Sequence, residues 1–224
     1  MTPLRRMLLL IGSPKPSRSA SEALGSSLLD RLAERGVQTD TVHVHRAVRS
    51  ADGIARLLAA TDSAELVVLA FPLYVDSLPA PVIKALELIA QHRQQVGRPE
   101  GQWLLPISNS GFPEPTQNDS ALAICRQFAR EAGFRWAGGL GVGGGGLVVG
   151  RSLAKPGGMV RPIVQALDLT AAALADGQPV PEAAYSLLAT PIVWPWLYRL
   201  IGNLGFRREA RKSRVDVRAR PHQL

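Results

Sequence analysis

Cysteine is nearly missing from this 224-residue chain, where Cys125 stands alone. That excludes an internal disulfide framework and any cysteine cluster for zinc or an iron–sulfur centre. A long apolar run is missing from the amino end as well. Met7-Leu8-Leu9-Leu10-Ile11, behind Arg5-Arg6, is shorter than the core of a secretion signal and enters a Gly-Ser-Pro turn at once, so the expected setting is cytoplasmic. No internal repeat is present. His43 and His45 alternate without clustered carboxylates or thiols, and no metal is expected. Cys125 and Arg130 fall one residue short of a phosphatase loop and lie in a helical pattern; the thiol reads as a small buried hydrophobe. After the first strand there is neither a Walker Gly-Lys-Ser/Thr nor the G-x-G-x-x-G of a dinucleotide fold, because Ser17-Arg18-Ser19 occupies the decisive positions. A nucleoside triphosphate is therefore not the expected ligand.

That strand runs instead into a polar loop rich in serine, Gly12-Ser13-Pro14-Lys15-Pro16-Ser17-Arg18-Ser19-Ala20-Ser21, and then into a helical pattern. Ser19-Ala20-Ser21-Glu22 fits a capping box with Ser19 as N-cap. The remaining amides of the first turn and the hydroxyls of Ser13, Ser17, Ser19 and Ser21 then face the space beyond the strand. A helix N-terminus favours a dianion through its free N–H groups and its dipole. The reading is a cradle for a terminal phosphate monoester, against the alternative of an ordinary serine-rich turn.

Strands and helices alternate along the chain: strands at 7–11, 37–44, 65–71 and 103–108, a fifth at 136–142, and helices at 20–35, 52–60, 81–94, 119–133 and 160–175. Such alternation implies a parallel sheet covered on both faces, with ligands bound beyond the carboxyl ends of the strands. Two more loops leave strand ends on that edge. Phe71-Pro72-Leu73-Tyr74-Val75-Asp76-Ser77-Leu78-Pro79-Ala80-Pro81 is stiffened by prolines and offers backbone groups and apolar surface to a planar polar heterocycle. Ser108-Asn109-Ser110-Gly111-Phe112-Pro113-Glu114 permits close backbone approach and adds an aromatic. Each could alternatively be a plain turn. The later Gly141-Val142-Gly143-Gly144-Gly145-Gly146 matches a dinucleotide pattern but is not succeeded by a helix; it reads as a mobile loop near the ligand edge or a subunit contact.

These three loops, in order and spacing, resemble the NAD(P)H-dependent FMN reductases and related flavoproteins of the flavodoxin superfamily over roughly residues 7–175. The resemblance implies a flavodoxin-like α/β fold, a doubly wound five-stranded parallel sheet in the order 2-1-3-4-5, with FMN at the carboxyl edge. It implies that Ser13, Ser17, Ser19, Ala20 and Ser21 hold the phosphate. Pro72, Leu73, Tyr74, Val75, Asp76 and Ser77 would line the isoalloxazine, and Asn109, Ser110, Gly111 and Phe112 would close its other side. The implied activity passes hydride from NADPH or NADH to bound flavin and on to a quinone, flavin or similar small acceptor, in a homodimer. No catalytic acid–base pair is called for. The rivals are a flavodoxin-like electron-transfer carrier and a flavin-free scaffold whose basic tail contacts a membrane or nucleic acid.

Charge separates the body from its end. The chain carries +8, but from Trp196 onward eight basic residues face only Glu209 and Asp216, a net of +6 that leaves +2 for residues 1–195. Residues 1–180 are expected to form the FMN-binding domain and 181–224 a C-terminal helical extension, aromatic and then basic. Pro191, Pro195 and Arg199 argue against a membrane span there. Trp194, Trp196 and Tyr198 are expected to pack on the domain or on a second subunit in preference to peripheral contact with an anionic membrane, and no nucleic acid is expected as a partner.

Overall fold

A run of five apolar residues can be buried whole only if both faces of its strand are covered. β1 (Arg6–Ile11) shows how this is done: Met7, Leu9 and Ile11 enter one core, and Leu8 and Leu10 enter another. The computed structural model describes residues 4–15, 18–97, 101–149, 153, 158–191 and 195–213. Beside β1 lie β2 (Gln38–His43) and β3 (Leu66–Pro72), and β3 pairs in turn with β4 (Trp103–Asn109), all parallel. The order is β2-β1-β3-β4 with the fifth position beyond β4, the doubly wound flavodoxin-like arrangement that the resemblance implies.

One face is covered by α1 (Ala20–Ala33) and α6 (Arg161–Ala175), whose Leu24, Leu28, Ile163 and Leu167 pack on Leu9, Val68 and Leu105. The other carries α3 (Ala51–Ser63), α4 (Ala80–Val96) and α5 (Asp119–Ala132), with Leu57, Val82, Ile89 and Cys125 against Leu10, Leu69 and Phe71. A short α2 (Val44–Ala47) precedes α3. Each fully buried leucine contributes about 1.5–3 kcal/mol, so both faces are needed to offset the ordering of the chain. α1 lies especially close: a side chain at Gly25 would come within 2.6 Å of Leu9 and 3.1 Å of Ala70. That contact sets the helix N-terminus directly above the end of β1.

The fifth position differs from the single strand expected at 136–142. It is broken into β5 (Arg135–Trp136) and β6 (Leu140–Val142), both parallel to β4. Leu104 is opposite Trp136 and Ile107 opposite Leu140, so the outer chain uses one more residue than β4 over the same span, which is a bulge. The reason is tertiary. The Ala137 carbonyl accepts from the amide of Val180 at 2.8 Å, and Gly138, at φ +122, packs against Val180 and Tyr185.

The chain divides into two compact units, residues 1–192 and 193–224. The first runs past residue 180, the boundary expected from the sequence, because α7 (Glu182–Leu188) inserts Ala184 and Leu188 into the core that holds α6. In the second unit the described element is α8 (Pro195–Lys212). Among the described residues no helix is long and apolar enough to cross a membrane.

Candidate active site at the carboxyl edge of the sheet

The ends of β1, β3 and β4 and the start of α1 enclose an open cleft of about 230 Å³, lined by Ser13, Lys15, Ser19, Ala20, Ser21, Pro72, Leu73, Tyr74, Asn109, Ser110, Gly111, Gly145, Gly146 and Val149. Three polar loops from different parts of the sequence thus meet at the switch point.

At the helix end, Ser19 is the N-cap: its backbone is extended, and its Oγ accepts from the Glu22 amide at 3.0 Å. Ser13 Oγ accepts from the Lys15 amide at 3.3 Å, and Ser21 Oγ accepts from Asn109 Nδ2 at 2.8 Å. A hydroxyl has one proton and two lone pairs. Because all three oxygens accept bonds from the protein, each keeps its proton to donate. The amides of Ala20 and Ser21 have no carbonyl four residues back within the helix. Buried donors and the helix dipole therefore converge beside Lys15, an arrangement suited to an anion. Ser17 lies outside the described residues.

Asn109 fixes the geometry. It is buried, its Nδ2 also donates to the Phe71 carbonyl at 2.9 Å, and its own carbonyl accepts from Leu73 at 2.8 Å. One side chain and its backbone thereby join the ends of β3 and β4 to α1. Ser110 is turned inward: its amide donates to Val142, its carbonyl accepts from Gly145, and its hydroxyl donates to the Phe112 carbonyl.

Not every residue expected at the ligand reaches the cleft wall. After Pro72, Leu73 and Tyr74 the chain doubles back, with Tyr74 and Ser77 exchanging backbone hydrogen bonds of 2.9 and 3.0 Å. Val75 and Asp76 occupy the turn at φ +48 and +58, a left-handed pair of the type I′ kind that costs a β-branched residue about 1 kcal/mol or more. Val75 is 97% exposed. The turn thus carries Val75, Asp76 and Ser77 off the wall and leaves Tyr74 at its rim. Phe112 is also off the wall and exposed, held by the Gly144 amide on its carbonyl at 2.7 Å.

Sequence reasoning missed Lys15 as a lining residue and read Gly141–Gly146 as a mobile loop near the ligand edge or a subunit contact. Gly145 and Gly146 stand at that edge as part of the wall, with Gly145 bonded to Ser110 at 2.8 Å. A side chain at Gly145 would stand 3.0 Å from Asn109 Oδ1 and 3.1 Å from the Ser110 carbonyl, so glycine permits the approach. Further on, Leu153 is tied down by Arg31, whose guanidinium donates to its carbonyl at 2.9 Å and pairs with Asp168 at 2.5 Å.

Two histidines stand behind the phosphate-type loop. The His45 pKa is lowered from the usual 6.5 by desolvation, then by Arg46, His43 and Arg49, against a backbone interaction with Ser13 that raises it. The His43 and His45 rings meet edge-on at 6.1 Å. Burial alone pushes the Cys125 thiol up to about 12, which makes it inert packing. Among the described residues no group of His, Cys, Asp or Glu could hold a metal ion.

No curated protein sequence matches the chain. Solved structures do, at identities that speak for fold. An apo NADH:FMN oxidoreductase aligns with TM-score 0.58 and 15% identity over 84% of this chain and 95% of its own. An FMN-dependent NADH-azoreductase from Bacillus anthracis str. Ames Ancestor, in complex with FMN, gives 0.54 and 14% over 76% of this chain and 100% of its own. A flavodoxin from Streptococcus pneumonia TIGR4 gives 0.52 and 13% over 77% and 99%. On this flavodoxin-like fold, residues 5–111, which include β1, the serine loop and the Tyr74 and Asn109 loops, match the model of the NADPH-dependent FMN reductase family.

Proposed function

We propose that the protein is an FMN-dependent oxidoreductase that uses NADH or NADPH to reduce a small acceptor such as a quinone or free flavin. The observation that carries this reading is the donor set at the start of α1: Ser13, Ser19 and Ser21 accept bonds from protein donors and keep their protons for an anion. A terminal phosphate monoester fits that set. Its two negative charges match the helix end and Lys15, and it needs no metal.

The rest of FMN fits the remaining walls. Leu73 and Tyr74 supply apolar surface, Pro72 stiffens their approach, and backbone groups of the Asn109–Gly111 and Gly145–Gly146 segments offer polar contacts. When bound, FMN supplies the redox chemistry, taking hydride from reduced nicotinamide and passing electrons to the acceptor. The protein binds and orients. The cleft is smaller than the roughly 300–1,000 Å³ of pockets that enclose a drug-sized ligand, so one side stays accessible to nicotinamide, to the acceptor, or to a second copy in a homodimer. Its described lining includes no His, Asp or Glu, and no side chain is assigned as general acid or base.

The test is direct. Purified protein should be yellow or become so with FMN, and anaerobic NADPH or NADH should bleach it. Bound flavin that neither nucleotide bleaches would assign the chain to electron carriage. Failure to bind FMN at all would remove the reading.

A further inference from the structure

We infer that α8 is a docking element for an anionic lipid surface. Trp196, Leu200 and Leu204 succeed one another at intervals of four and so share a helix face, on which they are 60%, 50% and 53% exposed; Phe206 is 76% exposed. Nothing else among the described residues of the second unit is available to cover them. Arg207, Arg208, Arg211 and Lys212 occupy the next turns, and Arg207 and Arg211 prolong the Trp196–Leu200–Leu204 stripe. The helix is therefore graded along its axis: Arg199 and Asn203 interrupt an otherwise apolar, aromatic and glycine stretch to Phe206, and residues 207–212 carry four basic groups against Glu209, which lies 3.7 Å from Lys212.

Charge selects the occupant. Residues 1–195 carry +2, and a second copy of the chain would bring another +8, so neither complements the basic end. Nucleic acid would supply negative charge but no hydrocarbon for two leucines. An anionic bilayer supplies both, with tryptophan and phenylalanine at the boundary and arginines at the headgroups. The helix cannot cross the bilayer, so it lies in the interface. Gly202 and Gly205 weaken it as an isolated helix in water, whereas seating the apolar face stabilises it. The inference uses none of the cleft residues and does not rest on the flavin reading.

The full-length protein is sedimented with vesicles of phosphatidylcholine alone or mixed with phosphatidylglycerol, in low and high salt, while its melting temperature and mass in solution are recorded without lipid. It should bind the mixed vesicles in low salt, and bind little in high salt or to phosphatidylcholine alone. Leu200→Gln with Leu204→Gln, which leaves the charge unaltered, should weaken binding at least about tenfold. Arg207→Gln, Arg208→Gln and Arg211→Gln together should weaken it about a hundredfold. Neither set should change the melting temperature or the mass. Absence of binding to mixed vesicles, binding unaltered by the leucine substitutions, or equal binding to neutral vesicles would overturn the inference. So would a leucine variant that melts earlier or changes mass without lipid, since the face would then be covered by protein.

Discussion

At the carboxyl edge of the sheet, Ser13, Ser19 and Ser21 accept hydrogen bonds and keep donors in reserve; at the amino end of β4 the polar groups are turned on one another. There Arg93, 1% exposed, donates to the carbonyls of Ala132 at 2.8 Å and Gly133 at 3.4 Å, lies 4.0 Å over the Phe134 ring, and reaches the Gln102 side-chain carbonyl. The Gln102 amide donates to Thr61 and Ala64 at 2.6 and 2.5 Å. A buried cation thus sits against the last carbonyls of α5, where the helix dipole favours it, and Gln102 extends the network to the end of α3. One end of the sheet satisfies its polar groups internally and holds the helices in place. The other keeps buried hydroxyl donors in reserve at the cleft wall, and the difference separates a stabilising network from a candidate binding site.

Breaking the saturated end should have the largest effect. Arg93→Met leaves the Gln102 oxygen and the α5 carbonyls buried without their donor, at a cost of about 3 kcal/mol or more. The melting temperature should fall by about 10 °C, while the protein that stays folded keeps its affinity for FMN. An unchanged melt would show that the network contributes little. At the open end, Ser19→Ala with Ser21→Ala removes the two hydroxyls that the proposed function assigns to phosphate, so FMN should bind about tenfold more weakly or worse. Riboflavin should be nearly unaffected; fluorescence titration showing equal losses for both would remove the phosphate assignment. Loss of the Ser19 cap should add about 1 kcal/mol of destabilisation, well below the Arg93 effect.

The smallest effect concerns pH. Because the folded pKa of His45 lies below 6.5, the unfolded chain takes up its proton first as pH falls. Stability from this group is therefore level above about pH 6.5 and declines below it. His45→Gln should flatten that part of a melting curve series, and an unaltered slope would assign the acid sensitivity elsewhere.

Much of this architecture is legible in the sequence for a simple reason. Runs such as Leu66–Phe71 must be buried on both faces, and Ser19 through Glu22 announces a helix start. Both signals are local. The break between β5 and β6 is not, because it depends on Val180 and Tyr185 reaching Gly138 from beyond α6. Residues 72–77 look alike as a ligand loop in sequence; only the backbone bonds between Tyr74 and Ser77 decide which half faces the cleft. Gly145 reads as slack chain until Ser110 is found holding it. Arg93 and Gln102 carry no sequence signal at all, being ordinary polar residues until the fold encloses them.

The broken fifth position also constrains what can pair with this border of the sheet. A strand edge recruits another strand when it presents an unbroken row of backbone donors and acceptors. Here that border consists of two residues and then three, separated by a bulge and bonded sideways through Ala137 to Val180. No continuous ladder is offered along that border, so association there must proceed through side chains and helices, and growth into an extended sheet is blocked on that side.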